Sequence, residues 1–123
     1  MLTEDDILHA LRDCYDSVLP CNIVDLGFIR SIHITPDHQA PGTGIPGVPQ
    51  KHIVEISLIS TQTDEAANAQ LTAQIGHRLA GIETVGRTTL TLLDTPVWTP
   101  LNITPAGRKI LGLDGNPNLI QIR

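Results

Sequence analysis

The chain has 123 residues, 41% of them hydrophobic, which is enough apolar material for one core and too little for two ordinary domains. Lys and Arg number 8 against 13 Asp and Glu, a net charge of -5, and only one each of Phe, Trp and Tyr is present to stack on bases, so nucleic acid is an unpromising partner. No apolar run approaches the roughly 18 residues of a membrane span, and acids rather than bases follow Met1, so a soluble, cytoplasmic, single-domain protein spanning 1–123 is expected.

The chain opens with a helix. Thr3 suits an N-cap, Glu4, Asp5 and Asp6 suit the positive end of the helix dipole, and Leu2 with Ile7 has the spacing of a hydrophobic staple. Ile7, Leu8, Leu11, Cys14, Tyr15 and Val18 recur at helical spacing, which predicts a helix continuing toward the break at Pro20. Next, "PCNIVDLGFI" (20–29) reads as an apolar approach to a strand, with Asp25 in its middle. Simply buried, that carboxylate would cost several kcal/mol, so it must be paired, hydrogen-bonded or turned into a cleft.

Residues 28–34 and 52–60 are rich in β-branched side chains and predict a hairpin, with Val54, Ile56 and Leu58 on one face. Between them, residues 35–51 hold four prolines and three glycines, far more chain than a tight turn needs, and are expected to form a flexible surface insertion. A second helix follows, capped at Thr61, Thr63 or Asp64, with Ala67, Leu71, Ile75 and Leu79 on its apolar face and Gly81 as a stop. Residues 85–93 form a third strand, and "DTPVWTPLN" a proline-broken loop holding the only tryptophan. Thr104 caps a short helix with Pro105 in its first turn and Gly112 at its end, and residues 119–122 suit a short edge strand. The order helix, hairpin, helix, strand, helix, strand describes a two-layer α+β domain with a small mixed sheet and helices on one face.

That order has a geometric consequence. Antiparallel hairpin strands bring the start of the first strand to the end of the second, and a crossover helix returns the third strand parallel to the second. One end of the sheet therefore collects Asp16, Cys21, Asn22, Asp25, Thr61, Thr63, Asp64, Asp94, Trp98 and Thr99, beside the N-terminus of the second helix. Free N–H groups there favour a carboxylate, a thiolate or an anionic cofactor.

"DSVLPCNIVDLGFIRSI", "VWTP" and "AGRKILGL" together resemble the SufT/PaaD-type family of iron–sulfur assembly proteins, also catalogued as domain of unknown function 59, over nearly the whole chain. The block from Asp16 to Gly27 is similar to that family's D-P-E-x-P-x-N-I-V-D-L-G signature, and Trp98-Thr99 matches its W-T pair. The resemblance implies a non-enzymatic role in building, carrying or inserting iron–sulfur clusters, with client or assembly proteins as partners, a transient cluster as cargo, and the iron–sulfur assembly domain fold. The family's key cysteine stands in the loop before the second helix, where its T-x-x-G-C-P reads "STQTDEA" here. Thr63 falls at the cysteine and Asp64 at the proline, while Ser17 and Val18 replace a proline and a glutamate of the first block.

A hydroxyl is a poor ligand for soft iron–sulfur chemistry, so either the function has drifted or another thiol serves, and Cys21 is the candidate metal ligand at that end. One thiol per chain needs help: a second copy in a homodimer, a client cysteine or a small thiol would share the cluster. Each residue also has a plainer reading. Cys14 fits a small core residue on the first helix, and Cys21 equally fits a buried side chain beside a strand. Asp25 fits a carboxylate pinning its own loop or capping a helix, and Trp98 a lid over the sheet end. His33, His38 and His52 lack metal-ligand spacing. The acids lack the Ser–His–Asp, phosphate-loop or paired-carboxylate context of a hydrolase, so no catalytic residue is assigned. The alternative to cluster handling is a protein-interaction module that kept the fold and lost the thiol.

Overall fold

The computed structural model describes residues 2–16, 19–59 and 65–112. Helix α1 (Glu4–Leu11) begins as its sequence dictates. The Thr3 hydroxyl accepts from Asp6 N at 3.2 Å while the Asp6 carboxylate accepts from Thr3 N at 2.9 Å, a closed capping box. The carboxylate gains most from the Thr3 backbone N–H, and its pKa lies below the ordinary 3.8.

The helix ends earlier than its periodicity predicts. The chain leaves it after Leu11 through turns closed by Asp13 N to Ala10 O and Cys14 N to Leu11 O. Residues 14–16 then run antiparallel to 21–23, with Tyr15 bridged to Asn22, Ile23 N donating to Cys14 O at 2.9 Å and Asp16 N to Cys21 O at 3.4 Å. Tyr15 is also gripped by Gln74, whose Oε1 accepts from Tyr15 N at 3.0 Å and whose Nε2 donates to Tyr15 O at 3.2 Å. These tertiary partners satisfy the backbone that one more helical turn would have used. Cys14 is buried as expected, though on a bridge facing the core rather than on a helix.

Strands β1 (Ile29–Pro36) and β2 (His52–Leu58) pair antiparallel, and β3 (Val85–Leu92) pairs parallel to β2, giving the order β1-β2-β3. The long helix α2 (Glu65–Ala80) is the crossover. Leu71, Ile75 and Leu79 are buried against the sheet face that carries Val54, Ile56 and Leu58, each worth about 1.5–3 kcal/mol when removed from water. Phe28, Ile7, Leu11, Ile23 and Leu26 complete this one core. A 3₁₀ turn (Pro100–Asn102) and helix α3 (Pro105–Ile110) close the sheet end, with Gly112 beyond the helix at φ +76°. The Thr95–Pro96 peptide bond is cis. The expected strand at 119–122 and the caps at 61–64 lie outside the described residues.

The segment between β1 and β2 is tied to the domain by its ends. Asp37, 5% exposed, accepts from Gln39 N at 3.1 Å and pairs with the Arg87 guanidinium on β3 at 3.2 Å. Gln50 Nε2 donates to Asp37 O and Lys51 O, and the Lys51 ammonium donates to Glu83 O. Ile45 and Val48, by contrast, are exposed. No described helix is long and apolar enough to cross a membrane.

Candidate functional site

Residues 19–28 and 94–107 meet at the end of the sheet where β1 starts and β2 and β3 finish. Ile59 N donates to Phe28 O and Leu93 N to Leu58 O at 2.8 Å each, so the backbone stays paired up to the edge of the site. Trp98 lies across it: its indole N–H donates to Leu26 O at 2.6 Å, and its ring stands edge-on to Phe28 with centroids 5.9 Å apart. The single tryptophan is thus a lid pinned to the apolar segment that opens the first strand.

Asp25 is the centre of this arrangement. Its side chain accepts from Asn22 Nδ2 at 2.8 Å and from the Thr104 hydroxyl at 2.9 Å, while Asn22 Oδ1 accepts from Asp25 N at 2.9 Å. The donors are a side-chain amide and a hydroxyl, not the backbone N–H groups of a helix start or of its own turn. Thr104 also caps α3 by accepting from Gly107 N at 3.1 Å, so one hydroxyl joins the buried carboxylate to the third helix. At 6% exposure the carboxylate has little open space around it. Its chemistry is that of a tie between the loop and the helix.

Two glycines permit the approach. A Cβ on Gly27, whose φ is +80°, would stand 2.2 Å from Asn102 O, and one on Gly107 would stand 2.6 Å from Asp25 O. The Asp25-Leu26-Gly27 stretch therefore packs against Gly107 at one end and Asn102 at the other. The sequence marks Thr104 only as a cap and gives no sign of Asn102 or Gly107; the Thr-Pro helix start is the signal, since a capping threonine has a second hydrogen-bonding capacity to spend.

The remaining predicted residues divide. Asp16, 8% exposed, accepts from Leu19 N at 2.9 Å on the inward face of the 14–16/21–23 bridge. Thr99 is bonded to Asn102, with Thr99 N donating to Asn102 Oδ1 at 2.9 Å. Asp94 is exposed. Thr61, Thr63 and Asp64 lie outside the described residues. Cys21 is 0% exposed, facing the core with Cys14, also 0% exposed. Burial pushes the Cys21 thiol above the ordinary 9.0, the nearby Asp25 charge adds to this, and a backbone hydrogen bond at Asn22 opposes it. Burial likewise raises Cys14.

A neutral, enclosed thiol is a poor ligand, because metal and cluster ligation uses the exposed thiolate. The donor set at this sheet end does not fit a bound iron–sulfur cluster: one protonated thiol, one carboxylate already holding two donors, and no group of three His, Cys, Asp or Glu side chains converging among the described residues. His52 is buried with Nδ1 3.2 Å from Thr84 O, whereas His33 and His38 are exposed.

No family model matches the sequence, and no curated protein matches it. Solved structures do resemble the fold. The crystal structure of a DUF59 domain from Bacillus anthracis aligns with a TM-score of 0.67 at 17% identity, covering 89% of this chain and 92% of that one. A conserved hypothetical protein from Thermotoga maritima aligns at 0.65 and 22% identity, covering 90% of this chain and 95% of that one. The chain therefore has the α+β fold found in DUF59 domains, along nearly its full length.

Proposed function

We propose that this chain is a non-enzymatic factor in iron–sulfur protein maturation that works by holding proteins rather than by carrying the cluster itself. The DUF59-like fold and the Asp16–Gly27 and Trp98-Thr99 motifs support the setting. The observation that carries the mode of action is the state of Cys21, fully buried and held protonated beside a carboxylate that is already satisfied. A thiol in that state serves packing. The motif residues then preserve the sheet end, with the residues flanking Trp98 presented at the surface; Val97 and Leu101 are 75% and 85% exposed there.

Cluster carriage by Cys21 is the second reading, and it requires the 14–16/21–23 bridge to open and another molecule to supply the remaining thiolates. The two readings separate in a strain deleted for this gene, complemented with the wild type or with Cys21→Ala. The proposal predicts that deletion lowers the activity of iron–sulfur enzymes and that both forms restore it. A folded Cys21→Ala that fails to restore activity would transfer support to cluster carriage. Unchanged iron–sulfur enzyme activity in the deletion would remove the maturation role.

A further inference from the structure

The sheet has two edges, and they are built differently. The outer edge of β1 has a register break between Ile29 and Ser31, exposed Arg30 and His33, and Pro36 in its last position. Charge, irregularity and proline are the devices that keep an edge strand from recruiting another chain. β3 lacks them over most of its length. Residues 88–93 read Thr-Thr-Leu-Thr-Leu-Leu, with no charge, proline or glycine, and β3 keeps an unbroken register with β2 from Arg87 to Leu92. No strand among the described residues pairs with its outer side. Leu92 and Leu93 are each 37% exposed.

We propose that the outer edge of β3 is a self-pairing interface, where a second copy of this chain adds its own β3 antiparallel across a two-fold axis. The sequence of the strand selects that occupant. Its register with Val54, Ile56 and Leu58 puts Thr88, Leu90 and Leu92 on the helix-covered face and Arg87, Thr89 and Thr91 on the open face. Facing residues of an antiparallel pair share a face, and this alternation is complementary to itself. With the axis at Thr91, each Thr91 faces Thr91 of the second copy, and Leu90 faces Leu92 of the second copy at two symmetric places. Charge points the same way. The uncharged run is bracketed by Arg87, whose guanidinium holds Asp37 yet stays 60% exposed, and by Asp94 after it, so antiparallel pairing brings each Arg87 within one residue of Asp94 of the other copy. Parallel pairing would set Arg87 beside Arg87 and Asp94 beside Asp94.

Sedimentation velocity of the full chain over a range of concentrations tests this. Wild type should dimerise. Thr91→Lys places two ammonium groups face to face at the axis and should weaken the dimer roughly tenfold or more. Because Thr91 is exposed, the thermal melt of the monomer, taken at concentrations below dimerisation, should not move; if it does, Thr89→Lys gives the same reading from the neighbouring exposed position. Thr35→Lys, the same change on β1, should leave the dimer intact. A wild type that stays monomeric throughout overturns the proposal, as does a dimer whose dissociation constant is unmoved by folded Thr91→Lys or Thr89→Lys.

Discussion

Thr104 and Asp25, 79 residues apart in the chain, are joined twice: the Thr104 hydroxyl donates to Asp25 Oδ1 at 2.9 Å, and Thr104 N donates to Asp25 O at 2.8 Å. With Asn22 holding the other carboxylate oxygen, the acid that stands out in "PCNIVDLGFI" is a structural tie. Asp25→Ala leaves the Asn22 amide and the Thr104 hydroxyl without their acceptor and should cost roughly 1–3 kcal/mol. Thr104→Val should cost a comparable amount and Thr104→Ser much less. Urea unfolding of the singles and the Asp25→Ala/Thr104→Val double should show coupling; strictly additive costs would deny the tie.

Gly27→Ala should be among the most damaging single changes in the protein. The φ of +80° disfavours any L side chain, a cost on the order of 1–3 kcal/mol, and the added methyl meets the Asn102 carbonyl at 2.2 Å. Gly107→Ala should also destabilise strongly, because helix α3 would be pushed off the Asp25 backbone. Gly44→Ala is the comparison: it shares the positive φ and meets nothing nearby, so only the backbone cost remains. Equal melting temperatures for the Gly27 and Gly44 variants would show that the sheet end yields easily.

Much of this was legible in the sequence, and what was not has specific causes. The capping residues Thr3 and Thr104, the Leu71/Ile75/Leu79 face of α2 and the order of the strands follow from local rules, and they suffice to bring residues 19–25 and 94–99 to one end. The early end of α1 was hidden because Cys14 sits at helical spacing from Ile7 and Leu11 yet equally on the inward face of a bridge with Ile23; only Gln74 and Asn22, distant in sequence, decide between them. Asp25 was readable as an acid in need of partners, but an acid can draw them from anywhere. Gly107 needed the packing of α3 to explain it.

The insertion should tolerate shortening in its middle and resist changes at its ends. Replacing residues 40–48 by a tight turn removes the exposed Ile45 and Val48 and should leave the melting temperature nearly unchanged. Arg87→Met strands the buried Asp37 carboxylate and should cost on the order of 1–3 kcal/mol by denaturant titration. The reverse pattern, with a costly deletion and a silent Arg87→Met, would place the anchoring elsewhere.

The raised thiols set an alkaline limb. A thiol whose folded pKa exceeds the ordinary 9.0 favours the folded chain while it stays protonated, so its contribution is present below 9.0. Above that value the unfolded chain ionises first, and stability falls until the folded-state pKa is passed. Melting temperature followed from neutral to alkaline pH under a reductant should decline less steeply in Cys21→Ala than in wild type. Parallel curves would mean that Cys21 ionises as freely in the folded chain as in the unfolded one.

That Cys21 packs the domain and does not hold a cluster is tested most directly by anaerobic reconstitution with iron and sulfide. Wild type and Cys21→Ser are compared by visible absorbance and iron content after desalting, with Thr63→Cys as the form that restores a thiol at the position the family resemblance assigns to it. Wild type and Cys21→Ser should be equally colourless and free of iron, and Thr63→Cys should gain both signals. A coloured, iron-loaded wild type that loses its cluster in a folded Cys21→Ser would contradict the account.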